Sequence, residues 1–136
     1  MKVLIDTNIV LDVLLNRKPF VENALKVFRQ AEKGRIEAYI TASSITDLVY
    51  ILRKAYSLTE IKTHLKEMLQ FIKLAGINPS MINDALNNDA PDFEDAVMMV
   101  CARQSGIEII ITRNKADFKN SDVPCISLEE WTKQQY

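Results

Sequence analysis

Six acidic side chains carry the chemistry open to this sequence: Asp6, Asp47, Asp92, Glu94, Asp95 and Asp117. Asp6 closes the apolar run Val3-Leu4-Ile5 and is followed at once by the polar pair Thr7-Asn8. Asp117 comes after a second apolar run, Ile109-Ile110-Ile111, that passes through Thr112 into a polar turn. Ligand sites of open α/β sheets lie outside the carboxyl ends of the strands, where these two positions would stand. Asp47 and the trio Asp92, Glu94 and Asp95 fall in the first turns of helix-like segments. Carboxylates that converge repel one another, two unit charges ~4 Å apart by about 4 kcal/mol at an effective dielectric of 20, unless a cation lies between them. A convergent set of this kind reads as a divalent metal site.

Each position also has a purely structural use. Asp6 can cap a helix over residues 8–15. Ser44-Ile45-Thr46-Asp47 has the form of a weak capping box, and the residues three and four beyond Asp47 are Tyr50 and Ile51, so no local cation accounts for its charge. Asp92 can cap a helix with Asp95 at its third position. After Asp95 no charged or hydroxyl side chain appears up to Ala102, so that helix must be buried on nearly every side, and a carboxylate opening a buried helix needs partners. Glu94 projects about a third of a turn away and is expected at the periphery. Either Asn114 or Asp117 can face the crevice that Asp6 faces, with turn formation as the alternative for both.

Other chemistries lack their parts. The single histidine, His64, lies in a charged stretch with Lys62, Lys66 and Glu67 and is expected on a surface helix, which leaves no partner for a catalytic triad. Cys101 and Cys125 stand alone in apolar segments and read as buried free thiols. The three glycines, Gly34, Gly76 and Gly106, each read as a helix C-cap, which removes glycine-rich nucleotide-binding loops. A formal net charge of −1 argues against gripping nucleic acid by bulk electrostatics. Locally, Arg17 and Lys18, then Arg113, Lys115 and Lys119, flank the acidic positions as a phosphodiester substrate would require, although a solvated charged rim has the same appearance. No apolar stretch approaches the ~20 residues of a membrane span, and a signal-peptide pattern is missing from the N-terminus, so the cytosol is the expected location.

Elements to position these residues alternate along the chain. Strands are expected at residues 2–5, 36–40, weakly near Ile77, at 108–112 and at 124–127. Helical periodicity runs over residues 19–33, and Ile45, Leu48, Val49, Leu52 and Tyr56 make another stripe. Ser57-Leu58-Thr59-Glu60 is a capping box opening a helix whose apolar face holds Ile61, Leu65, Met68, Leu69 and Ile72, and Trp131 anchors a short terminal helix. This alternation, over 136 residues that are 48% hydrophobic and 26% charged, predicts one α/β domain spanning residues 1–136, a central parallel sheet with helices on both faces.

Over nearly its whole length the chain resembles the PIN-domain ribonucleases, the family that includes VapC-like toxins of toxin–antitoxin modules. The resemblance rests on Val3-Leu4-Ile5-Asp6-Thr7-Asn8, Ser43-Ser44-Ile45-Thr46-Asp47, Asp92-Phe93-Glu94-Asp95-Ala96, Thr112-Arg113-Asn114 and Asp117-Phe118, in that order. It implies a three-layer α/β/α fold with acidic residues at the carboxyl edge of a mainly parallel sheet, and Mg²⁺- or Mn²⁺-dependent hydrolysis of RNA to products with 5′-phosphate ends. Asp6, Asp47, Asp95 and Asp117 would be the catalytic metal ligands, with Asn8, Asp92, Thr112 and Asn114 in support and Arg17, Lys18, Arg113 and Lys115 on the RNA. A small antitoxin partner and a homodimer are also implied. Many relatives carry glutamate where this chain has Asp47. That shorter arm and the near-neutral charge keep a second reading open, a non-catalytic PIN-like module binding RNA or a protein. A phosphotransfer domain or phosphatase, which also places an acid after the first strand, fits poorly because Asn8 rather than an acid stands two places after Asp6.

Overall fold

The computed structural model describes residues 1–134. Five strands, β1 (Lys2–Ile5), β2 (Glu37–Thr41), β3 (Ile72–Ala75), β4 (Ile109–Thr112) and β5 (Cys125–Ser127), form one sheet in the order β3-β2-β1-β4-β5. All four pairings are parallel, with Val3 beside both Ala38 and Ile109. Parallel strands need crossovers, and these are supplied by α1 (Thr7–Leu14), α2 (Val21–Glu32), α3 (Ser44–Leu52), α4 (Leu58–Met68), α5 (Pro79–Leu86) and α6 (Phe93–Gln104); a single 3₁₀ turn (Lys115–Phe118) links β4 to β5, and α7 (Leu128–Lys133) follows. The result is the expected three-layer α/β/α arrangement.

β1 is central, so both its faces must be apolar. Val3, Leu4 and Ile5 are all at most 1% exposed. Val3 and Ile5 pack with α1, α2, α3 and α7 on one face, whereas Leu4 packs with Met98, Met99, Ala102 and Ile110 on the other. Helix α6 is buried continuously from Ala96 to Ala102, as its lack of charged side chains required. Trp131 of α7 is fully buried and its indole N–H donates to Gln30 of α2 at 2.7 Å. The Ser57 capping box is present, with Glu60 N–H to Ser57 Oγ at 3.2 Å and Ser57 N–H to Glu60 Oε1 at 3.1 Å. Gly34 and Gly106 take φ of +73° and +70° just beyond α2 and α6, a conformation that favours glycine.

Some local expectations need correcting. The third strand lies at Ile72–Ala75 rather than near Ile77, and Ile72 belongs to it and not to the apolar face of α4. Gly76 consequently follows a strand and is not a helix cap. Ser44 does not open a capping box: its hydroxyl donates to the Thr41 carbonyl at 2.7 Å, and Ser43 at the N-cap makes no capping bond. His64 is half-buried, its ring meeting Tyr56 edge to face with centroids 5.1 Å apart. Both cysteines are free, Cys101 buried and Cys125 partly so. Among the described residues no helix is long and apolar enough to cross a membrane.

Candidate active site

Adjacent parallel strands end side by side, and β1 and β4 bring their polar turns together for that reason. Asp6, the residue after β1, donates its backbone N–H to the Ile111 carbonyl at 3.0 Å, continuing the ladder one step past the strand. Its carboxylate is not spent on capping α1, since it makes no side-chain cap bond. Instead Oδ2 accepts from the Thr112 hydroxyl at 2.7 Å, and that hydroxyl oxygen accepts from the Asn114 backbone N–H at 3.1 Å. The Asn114 amide in turn donates to Asp117 Oδ2 at 2.9 Å. A continuous hydrogen-bonded chain therefore fixes Asp6, only 7% exposed, to the turn that carries Asp117.

The N-terminus of α6 completes the acidic edge. Asp92 is its N-cap, one oxygen accepting from the backbone N–H groups of Glu94 at 2.9 Å and Asp95 at 3.3 Å. Capping fixes where Glu94 and Asp95 project. Glu94, expected at the periphery, is half-buried and accepts from the Thr7 hydroxyl at 3.0 Å. It belongs to the cluster. Asp47, near the start of α3, is exposed and meets the cluster through its repulsion of Glu94.

The electrostatics follow from this crowding. Burial is the largest influence on Asp95 and pushes its carboxyl up to about 7, with Asp92, Asp6, Asp117 and Glu94 adding repulsion. Burial also raises Glu94, opposed by the Thr7 hydroxyl and reinforced by Asp47, Asp6 and Asp92. Asp6 is raised by burial against the Thr112 hydroxyl and the backbone amides of Asn8 and Thr7. Among the described residues no group of three acidic, histidine or cysteine side chains is close enough to grip a metal ion as it stands. The donors are all oxygens, the chemistry that suits a hard divalent cation, and Asp6, Asp95, Asp117 and Glu94 are the side chains that would hold one.

The basic residues divide. Lys18 is exposed, while Lys115 is paired with Glu130 at 3.0 Å. Arg113 and Arg17 turn inward to a residue that sequence reasoning missed, Asp12 of α1. Asp12 is fully buried, with Arg113 Nε 2.9 Å from Oδ2 and Arg17 Nη1 3.7 Å from Oδ1. The signal was present: an acid flanked by Ile9, Val10, Leu11, Val13 and Leu14 has to meet a cation, because an unpaired buried charge is very costly. Arg113 also lies over the Phe20 ring, Cζ 4.0 Å from its centroid. Both arginines therefore share the buried Asp12 carboxylate as a counter-charge.

Comparison with known proteins agrees with this fold. Ribonuclease VapC1 of Aquifex aeolicus (strain VF5) is 20% identical over 138 residues, covering 98% of this chain and 94% of that protein. Among solved structures, the fold matches VapBC2 from Rickettsia felis bound to a DNA fragment from their promoter, with a TM-score of 0.71 at 14% identity over 93% of this chain and 98% of that one. It also matches a toxin-antitoxin complex from Klebsiella pneumoniae, with a TM-score of 0.66 at 20% identity over 93% and 97% of the two chains. The family model for the PIN domain matches residues 2–116, which run from β1 through the turn after β4 and so take in all of the acidic edge but Asp117. The chain belongs to the PIN domain family.

Proposed function

We propose that this chain is a Mg²⁺- or Mn²⁺-dependent ribonuclease that hydrolyses RNA phosphodiester bonds, acting as the toxin of a toxin–antitoxin module. The observation that supports it most is the gathering of carboxylates that repel one another at the ends of β1 and β4 and the start of α6, tied together by the hydrogen bonds of Thr112, Asn114 and Thr7. A bound divalent ion would supply the missing positive charge and Lewis acidity toward water and the phosphoryl oxygens. The protein's own part is positional. Thr112 fixes one oxygen of Asp6, Asn114 one oxygen of Asp117, and Thr7 one oxygen of Glu94. Asp6 and Asp95 are the principal ligands in this reading, Asp117 and Glu94 complete the set with Asp47 beside them, Asn8 and Asp92 support it, and exposed Lys18 is a cation available to the RNA backbone.

The test is cleavage of a defined RNA panel with Mg²⁺, with Mn²⁺ and with chelator, followed by end-group analysis. Products with 5′-phosphate ends, abolished by chelator and by Asp6→Asn in a variant that still folds, are the expected result. Undiminished cleavage by Asp6→Asn overturns the assignment. The proposal extends to residues 1–136 acting as one unit in the cytoplasm, to a homodimer, and to a small antitoxin that blocks the site. The resemblances to Ribonuclease VapC1 and to toxin–antitoxin complexes support the antitoxin in particular.

A further inference from the structure

Beside the acidic edge lies an open cavity of about 760 Å³ that shares Asn8, Asn114 and Asp117 with it. Its other side is formed by Phe20, Asn23 and Arg113, above Leu128. We propose that this cavity receives one nucleobase of a single-stranded RNA, the base next to the phosphate held at the carboxylates, stacked on the Phe20–Arg113 pair. The inference rests on the nuclease reading and adds to it the part of the substrate that the protein recognises.

Three features carry it. First, Phe20 is a large aromatic ring left 39% exposed at the cavity wall, although an apolar core was available to it one residue away at Val21. Second, Arg113 is not free to follow a phosphate. Its Nε sits 2.9 Å from the fully buried Asp12 carboxylate, and its guanidinium lies over the Phe20 ring at 4.0 Å. An arginine whose charge is matched from behind grips phosphate poorly, but stacked with Phe20 it holds that ring at the cavity wall and widens the flat surface there, and every base has a π-face to offer it. Third, the Asn23 side-chain amide has no partner among the described residues and is half-buried at the cavity, where it offers one donor and one acceptor to the edge of a base. Because Asn114 and Asp117 form the wall common to cavity and acidic edge, a base placed here brings its sugar and phosphate to the carboxylates.

The experiment uses the full chain in Ca²⁺ and a set of single-stranded RNA heptamers, each with 2-aminopurine at a different position. In the wild type one position is expected to show quenched fluorescence. Phe20→Ala should remove that quenching and weaken binding by about five- to a hundredfold, while Phe20→Trp should keep both. Phe20→Leu, which retains bulk without the aromatic face, should behave as alanine does and serves if the alanine variant fails to fold. Binding that is indifferent to Phe20→Leu, or no quenched position at all, overturns the inference. Cleavage in Mn²⁺ run in parallel separates the two readings. Cleavage with no dependence on Phe20 retains the nuclease and discards the base pocket. Quenching that depends on Phe20 without any cleavage retains the pocket and discards the nuclease.

Discussion

Replacing Asp95 by asparagine should stabilise the metal-free protein at neutral pH while destroying its proposed activity. In the fold its carboxyl is moved from an ordinary 3.8 to about 7, mainly by burial and then by Asp92, Asp6, Asp117 and Glu94. A carboxyl whose pKa rises on folding stabilises the fold fully below pH 3.8, and that contribution disappears as the pH climbs to 7. At about 1.4 kcal/mol per pH unit the ceiling of this loss is ~4 kcal/mol. The side chain is only half-buried, so water screens it, and roughly 1–2 kcal/mol is the expected cost. For a chain of 136 residues that corresponds to a melting temperature higher by roughly 3–8 °C in Asp95→Asn at pH 8. Calorimetry of both proteins in chelator, from pH 4 to pH 8.5, is the assay. The gap should widen with pH and level off above 7, and millimolar Mn²⁺ should close it by stabilising only the wild type. An asparagine variant no more stable than wild type at pH 8, or a gap that shrinks as the pH rises, refutes the electrostatic account of the site.

Other perturbations test the supports. Asp12→Asn leaves Arg113 facing a buried site without its counter-charge and should cost about 3–5 kcal/mol in urea unfolding, whereas Asp12→Leu combined with Arg113→Met should recover most of it. Thr112→Val removes the 2.7 Å bond to Asp6 and should lower stability by roughly 1.5–3 kcal/mol. It should also reduce cleavage more than it weakens RNA binding, as read from single-turnover rates against filter-binding affinities. Trp131→Ala opens a void under α7 where the ring is fully buried, and a loss of about 3–5 kcal/mol is expected from the denaturation midpoint.

The sequence exposed those features in which one local pattern had one physical solution. An apolar run ending on Asp6 and another ending on Thr112 could only be buried strands opening at the same edge, and Ser57 with Glu60 could only be a helix start. The uncharged stretch from Ala96 to Ala102 required burial on all sides. Strand β3 was obscured because Ile72 continues the three-and-four spacing of α4, and because its Lys73 and Leu74 are exposed, which erases any strand alternation. Lys73 is held by a 2.6 Å bridge to Glu37 of the neighbouring strand, a contact that only the register reveals. Helical spacing alone turns Glu94 away from Asp95, and what draws it into the cluster, the Thr7 hydroxyl, comes from a different helix 87 residues away. The role of Arg113 depended on Asp12, and no spacing rule links residues 12 and 113.

The bond between Thr112 and Asp6 joins residues 106 apart. During synthesis the first strand leaves the ribosome long before its neighbour exists, with one long edge of the future sheet bare. Any nascent fragment that stops short of Ile109 therefore holds Asp6 without the hydroxyl that orients it and without Asp117. The proposed site thus cannot assemble before the segment carrying Thr112 and Asp117 has been made and paired with the first strand.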